Sequence, residues 1–119
     1  MKTAIIGSRT FNDYAFLKSV CRQYDITTVI SGGAIGADSL GEQYAQEMNI
    51  PTTIFKPDWG KYGRRAGVIR NKDIIENADI VIAFWDGVSR GTGHSIKLSQ
   101  KLNKKTIICN IHSKSISIL

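Results

Sequence analysis

No stretch of this chain reaches the ~18 consecutive apolar residues that a bilayer-spanning helix requires, so no transmembrane helix is expected. The opening Met1-Lys2-Thr3 passes directly into a strand-like apolar run rather than a secretory leader, and a cytoplasmic protein is expected. Cysteine is scarce. Cys21 and Cys109 stand far apart, inside a predicted helix and a predicted strand, which excludes a disulfide framework and the closely spaced ligand pairs of a structural metal site. Both are expected to be reduced packing residues. No internal repeat or low-complexity segment occurs, which excludes solenoid and linker-rich architectures. Acidic residues are in deficit, 10 against 16 basic ones for a formal net charge of +6, a balance that suits an anionic partner.

What is present is the composition of an ordinary globular protein, 42% hydrophobic and 22% charged, far from the low hydrophobicity of disordered chains. A length of 119 residues suffices for one domain with a true core, so residues 1–119 are expected to form a single domain. The positive charge falls into two groups. Lys101, Lys104, Lys105 and Lys114 gather near the C-terminus, where a solvated, dipole-favoured helix end accounts for them. Lys61, Arg64, Arg65 and Arg70 surround a glycine-containing loop, where solvent and a phosphate are comparable alternatives.

Apolar runs and glycine breaks alternate along the chain. Lys2 to Ile6 predicts a first strand, Ile26 to Ile30 a second, Thr52 to Phe55 a third, Ile80 to Phe84 a fourth and Thr106 to Ile111 a fifth. Between them, apolar residues recur at helical spacing over Tyr14 to Tyr24, with Asn12 or Asp13 as cap, and over a second helix that Pro51 is expected to end. Val68 to Asn77 predicts a third helix, and a fourth follows Gly93. Lys56 to Gly67 is too irregular for a strand and too long for a simple turn, and loops of that kind usually carry function. The Ile80-Val81-Ile82-Ala83-Phe84 run is apolar on both faces, as the centre of a parallel sheet must be. The expectation is an α/β, Rossmann-like three-layer fold, about five mainly parallel strands with helices on both faces.

In such sheets ligands bind at the carboxyl edge, where strand order reverses. Gly7, the Gly32-Gly33-Ala34-Ile35-Gly36 segment, and Gly87 with Gly91 and Gly93 each stand where a strand hands over to a helix. There glycine permits close backbone approach and the helix start offers amides to phosphate. The second of these segments matches neither the P-loop nor the Gly-x-Gly-x-x-Gly spacing, so P-loop nucleotide hydrolysis is disfavoured. Trp59 and Trp85 suit either a lid over the sheet edge or a stacking surface for a base. Asp38 and Asp86 suit either a solvent-facing turn or ribose hydroxyls, and His94 either a polar pocket or a structural place.

At these residues the chain resembles the SLOG superfamily, which unites SMF/DprA DNA-processing and LOG cytokinin-activating proteins, and in particular its small YspA/YpsA-related branch. Gly7-Ser8-Arg9, Ser31-Gly32-Gly33-Ala34-Ile35-Gly36-Ala37-Asp38, Pro57-Asp58-Trp59, Ala66-Gly67 with Arg70-Asn71, and Phe84-Trp85-Asp86-Gly87 with Ser89, Gly91-Thr92 and His94 carry the resemblance in order. It implies a Rossmann-like sheet with a nucleotide-type pocket, a homo-oligomer paired through helices beside the sheet, and a place in bacterial or phage signalling. LOG enzymes use an arginine and a glutamate three residues after Gly-Thr. Here Gly93, His94 and Ser95 follow Gly91-Thr92, so that acid is absent and an enzymatic role is left open.

The leading expectation is a module that senses or sequesters a nucleotide or nucleotide-derived small molecule. Gly32, Gly33, Gly36, Gly91 and Thr92 would face its phosphate, and Arg9 and Arg70 would balance its charge. Gly7, Ser8, Ser31, Asp38, Trp59, Asn71, Trp85, Asp86, Ser89 and His94 complete the expected ligand-binding set. The alternative is a hydrolase of an N-glycosidic or phosphate bond with Asp38, Asp86 or His94 as acid–base candidates. Single-stranded DNA is a weaker third possibility, because the C-terminal lysines are not interleaved with aromatics. No metal and no cofactor beyond a nucleotide-type ligand are expected.

Overall fold

A computed structural model describes residues 1–119. All five expected strands form: β1 (Lys2–Gly7), β2 (Thr28–Ser31), β3 (Thr52–Ile54), β4 (Ile80–Trp85) and β5 (Lys105–Asn110). With a sixth strand, β6 (Ile116–Ile118), they lie in one sheet of order β3-β2-β1-β4-β5-β6, in which every pair is parallel except the last. The added edge strand runs antiparallel to β5. Nothing in its three exposed residues distinguished it from a tail. A tight turn makes it: the Asn110 side-chain oxygen accepts from the amides of His112 at 2.9 Å and Ser113 at 3.0 Å, and Lys114 takes a positive φ of 57°.

Helices cover both faces, as β–α alternation requires. On one, α1 (Tyr14–Cys21) and α2 (Ala37–Glu47) pack Leu17, Val20 and Tyr44 against Ile5, Ile82 and Phe84. On the other, α4 (Ala66–Asn77) and α5 (Arg90–Lys101) pack Ile74, Ile75 and Ile96 against Ala4, Val81 and Ala83. Alternate β4 residues therefore enter different cores, which is why the run had to be continuously apolar. The expected α/β, three-layer, mainly parallel fold is present. No helix is long and apolar enough to cross a membrane.

Several element boundaries differ from expectation: α5 begins at Arg90, so Gly91, Thr92 and Gly93, expected in the loop before the fourth helix, lie within its first turn, and two further differences have a local cause. Helix α2 ends at Glu47, ahead of Pro51, because Asn49 turns left-handed at φ 55° and the Ile50 amide closes on Ala45 O at 2.8 Å, a helix-terminating turn that needs no proline. The irregular Lys56–Gly67 segment contains a short helix, α3 (Trp59–Tyr62), capped by the Asp58 carboxylate, followed by a 3-10 turn over Gly63–Arg65. Neither buries any residue, so no apolar periodicity marked them.

The loop after β1 is pinned to the sheet by Phe11, which stacks on Phe84 at 5.0 Å between centroids, while Phe16 meets the same ring edge-on at 5.8 Å. Where this loop meets the start of α2, only glycine fits. Gly36 holds φ 80° and ψ −130°, and a Cβ there would lie 2.4 Å from Ser8 O and 2.5 Å from Arg9 O. Gly36→Ala is expected to lower unfolding free energy by about 2–4 kcal/mol through strain and overlap, measured as a shifted urea midpoint with little change in slope.

Candidate functional site

Strand order reverses between β1 and β4, whose crossovers leave in opposite directions, and a crevice opens there between their loops. A cavity of about 840 Å³ occupies it. Of the residues expected to bind a ligand, Gly7, Ser8, Arg9, Asp38, Trp59, Arg70, Asn71, Asp86, Ser89, Gly91, Thr92 and His94 line this cavity. Ser31, Gly32, Gly33, Gly36 and Trp85 do not. The site includes Thr10, Arg64, Ser95 and Lys97 as well. For Ser95 a signal existed, because it follows Thr92 by three residues and so shares its helix face.

The floor of the cavity is a closed ring of hydrogen bonds. The Asp86 amide donates to Ser8 Oγ at 3.2 Å, Ser8 Oγ lies 3.2 Å from Ser89 Oγ, and Ser89 Oγ donates to Asp86 Oδ2 at 2.8 Å. Since the single Ser89 hydroxyl proton goes to the carboxylate, Ser8 must be the donor in the bond between the serines. Asp86 Oδ1 accepts from the amides of Val88 at 2.9 Å and Ser89 at 2.7 Å. These amide bonds, first Ser89 and then Val88, hold the Asp86 carboxyl down at about 2. Asp86 thus carries no proton to donate near neutrality, and three of its acceptor positions are already used by its own loop. The geometry makes it an anchor of the β4 loop, where the sequence leaves it open between a solvent-facing turn, a ribose contact and one of three acid–base candidates.

This ring has a consequence for α5. Ser89 is its N-cap residue, yet makes no side-chain capping bond, because its hydroxyl is turned to Asp86. The first amide to find a helical acceptor is that of Gly93, bonded to Ser89 O at 3.0 Å. The amides of the preceding turn lack that partner, as at any helix start. Thr92 and Ser95 are only 8% and 5% exposed, and neither hydroxyl has a hydrogen-bond partner within the protein. No fully enclosed side-chain polar atom is unsatisfied, so both hydroxyls keep an opening, and the cavity they line provides it. A Cβ on Gly91 would meet nothing within 4 Å.

The β2 loop differs from the cradle of bare amides expected there. The Gly33 amide donates to Ser31 Oγ at 3.2 Å, and the Ala34 amide donates to Asp38 Oδ2 at 3.2 Å. The chain's own carboxylate fills that turn. Gly32 matters through what it lacks: a Cβ there would stand 2.6 Å from Arg70 Nη1 and 2.9 Å from Asp38 Oδ2. Its absence lets guanidinium and carboxylate approach from either side, and Arg70 donates to Gly32 O at 2.7 Å through Nη1 and to Asn71 Oδ1 at 2.9 Å through Nε. Ser31 is wholly buried and bonds Glu42 at 2.7 Å.

The tryptophans separate. Trp85 donates from Nε1 to Ser89 O at 3.0 Å, and its ring lies 3.3 Å from the point where a Gly93 Cβ would stand, so it braces α5 from below. Trp59 is 59% exposed on the cavity wall, over Gly67. Among the charged residues, Arg9, Arg64, Arg70 and Lys97 face the cavity against Asp38 and Asp86, and none of these cations is in an ion pair. Lys61 sits over the Tyr62 ring and Arg65 lies outside the cavity. Near the C-terminus, Lys114 pairs with Asp13 at 3.1 Å, Lys105 faces the Tyr24 ring and Lys104 reaches Glu76 O. No group of three or more His, Cys, Asp or Glu side chains is placed to hold a metal ion.

Asp38 is only 8% exposed, and burial pushes its carboxyl up to about 6, against the opposing pull of the Ala34 amide and of Arg70. The folded chain therefore binds this proton from about pH 6 downward, ahead of the unfolded chain with its ordinary value of 3.8. The stability contributed by protonation grows as pH falls across that window and is lost as pH rises through 6. Asp38→Asn is expected to flatten this part of the pH dependence, read as a difference between denaturation curves taken on either side of the window. A carboxyl resonance of Asp38 that titrates with an ordinary midpoint would contradict the assignment.

Residues 1–62 match the model of YAcAr, the YspA, cpYpsA-related SLOG family. The Gene 61 protein of Mycobacterium phage D29 is 32% identical over 111 residues, covering 84% of this chain and 89% of that protein. No solved structure matches the chain. With a family model spanning half of its length and a phage relative aligned over most of the rest, this chain belongs to the YspA, cpYpsA-related SLOG family.

Proposed function

We propose that the cavity between the β1 and β4 loops binds a nucleotide or a nucleotide-derived small molecule through its phosphate, and that the protein acts by sensing or sequestering it. The observation that carries this is the first turn of α5, which offers amides without a side-chain cap beside the buried, unpartnered hydroxyls of Thr92 and Ser95. A helix start of that kind favours an anion through oriented amides and the dipole together. Arg9 and Lys97, unpaired on the cavity wall, add charge at longer range. In this reading a base stacks on Trp59 and ribose hydroxyls donate to Asp38, both of which line the cavity.

A second reading has its own support. Asp38 is a buried carboxyl shifted to about 6 within the cavity, and perturbed acids cluster where proton transfer or charge stabilisation is needed. Hydrolysis of an N-glycosidic or phosphate bond would place Asp38 at the reacting centre, since Asp86 is committed to its loop. His94 lines the same cavity, exposed on α5. The engagement of Lys104, Lys105 and Lys114 with separate neighbours disfavours a continuous track for single-stranded DNA.

Native mass spectrometry of the protein as purified, followed by calorimetric titration with a nucleotide panel, tests the reading. A retained adduct or micromolar binding of at least one phosphorylated nucleoside is expected, with the nucleoside alone binding far more weakly. The same spectra are expected to show more than one subunit per particle. Thr92→Val removes one phosphate-facing hydroxyl and is expected to weaken binding roughly tenfold, and affinity falls as salt is raised. Product formed on incubation would move the assignment to the hydrolase, and equal affinity for nucleoside and nucleotide would refute phosphate recognition altogether.

A further inference from the structure

The outer edge of β6 is a row of main-chain groups with nothing bonded to it. In its pairing with β5, Ser115 O accepts from the Asn110 amide at 2.9 Å, and Leu119 exchanges both of its bonds with Thr106, at 2.9 and 3.4 Å. Antiparallel ladders alternate between bonded and non-bonded pairs. In the observed register Ser117 therefore faces Ile108 as a bonded pair, and the N–H and C=O groups of Ile116 and Ile118 point away from β5. The side chains of these two residues stand beside the buried Cys109 and Ile107, on the face that α1 and α2 cover. They are nevertheless 43% and 61% exposed.

The two edges of the sheet differ in what guards them. At the far edge, β3 is bracketed by Pro51 and Pro57, with Lys56 beside the second, and proline and lysine are residues that keep an open edge from pairing. Ser115 to Leu119 contains no proline, no glycine and no charged side chain. On a chain of net charge +6, such a stretch is where a second copy can approach with least repulsion. The neighbouring Lys114 and Lys105 are turned to Asp13 and to the Tyr24 ring.

The free groups also complement themselves. When two such strands run antiparallel about a two-fold axis at Ser117, Ile116 of each copy lies opposite Ile118 of the other. Each isoleucine then exchanges both of its outward main-chain bonds with the one it faces, and their side chains meet on one face of the joined sheet. A contact of this kind closes at two subunits, whereas β6 laid on β3 would continue as an open filament.

We propose that the uncharged edge of β6 is a dimerisation surface, on which β6 of a second copy pairs antiparallel and joins the two sheets into one. The contact is small, so dissociation in the micromolar range is expected. Because β5 separates β6 from β4, the cavity between β1 and β4 stays outside the contact.

Hydrogen exchange followed amide by amide by NMR tests this on the unaltered protein. In a lone subunit β5 protects the amides of Ser117 and Leu119, while those of Ile116 and Ile118 exchange freely. In concentrated protein the latter two are expected to slow at least about tenfold below the rate of an open amide. Ser117 faces its own counterpart at the axis in a non-bonded pair, where Cα atoms approach to about 4.5 Å. Ser117→Cys is accordingly expected to give a disulfide-linked dimer on mild oxidation. Ile118→Pro removes an outward N–H without breaking the β5 ladder and is expected to sediment as a monomer. Free exchange at Ile116 and Ile118 at every concentration would overturn the proposal, and so would a dimer that survives Ile118→Pro, which would move the contact to the helices beside the sheet. The exchange measurement needs no variant, so the proposal stays decidable should Ile118→Pro fail to fold.

Discussion

The ring that joins Asp86, Ser8 and Ser89 is the constraint on which the site depends. It ties the end of β1 to the end of β4, the two central strands whose crossovers diverge, and fixes the floor of the crevice between them. Its effect on α5 is as important as its effect on the loops. A serine at the N-cap ordinarily satisfies one of the free amides and adds about 1 kcal/mol to helix stability. Here that hydroxyl belongs to Asp86, so the helix start remains open. The local structure is less stable than it could be, because the amides of that turn keep no side-chain partner.

The two cavity aspartates show how environment divides one residue type into opposite states. Asp86 accepts two amide bonds and a hydroxyl bond in a turn that water still reaches, and its carboxyl lies near 2. Asp38 also accepts an amide bond and has Arg70 nearby, yet its carboxyl lies near 6 because desolvation outweighs both. Hydrogen bonds to the charged form and removal of water act in opposite directions, and burial decides the balance. Gly32 makes the second environment possible, since any side chain there would separate guanidinium from carboxylate.

Tryptophan behaves in the same divided way. Trp85 ends a buried strand and has its indole N–H engaged by the loop that follows, so its ring serves as the seat of α5. Trp59 begins a one-turn helix that buries nothing of its own, and its ring stands exposed on the cavity wall. The segment from Trp59 to Arg65 buries none of its residues, which places it among the less stable parts of the fold.

Patterning along the chain determined the fold by itself. Five apolar runs separated by amphipathic segments admit little besides a parallel sheet covered on both faces, and the glycines at the strand ends marked the edge where a site would form. Twelve of the residues singled out there line the cavity between the β1 and β4 loops. What tertiary structure decided was the partner of each polar group. Asp38 fills the glycine turn of β2, Ser89 turns away from its helix toward Asp86, and Arg70 reaches Gly32 across 38 positions of sequence. Local spacing reports which groups a segment carries. Whether those groups remain free depends on neighbours brought in from elsewhere, such as Ser8 and Ser89 at 81 residues apart, and a hydrogen bond formed over that distance leaves no trace in the periodicity of either segment.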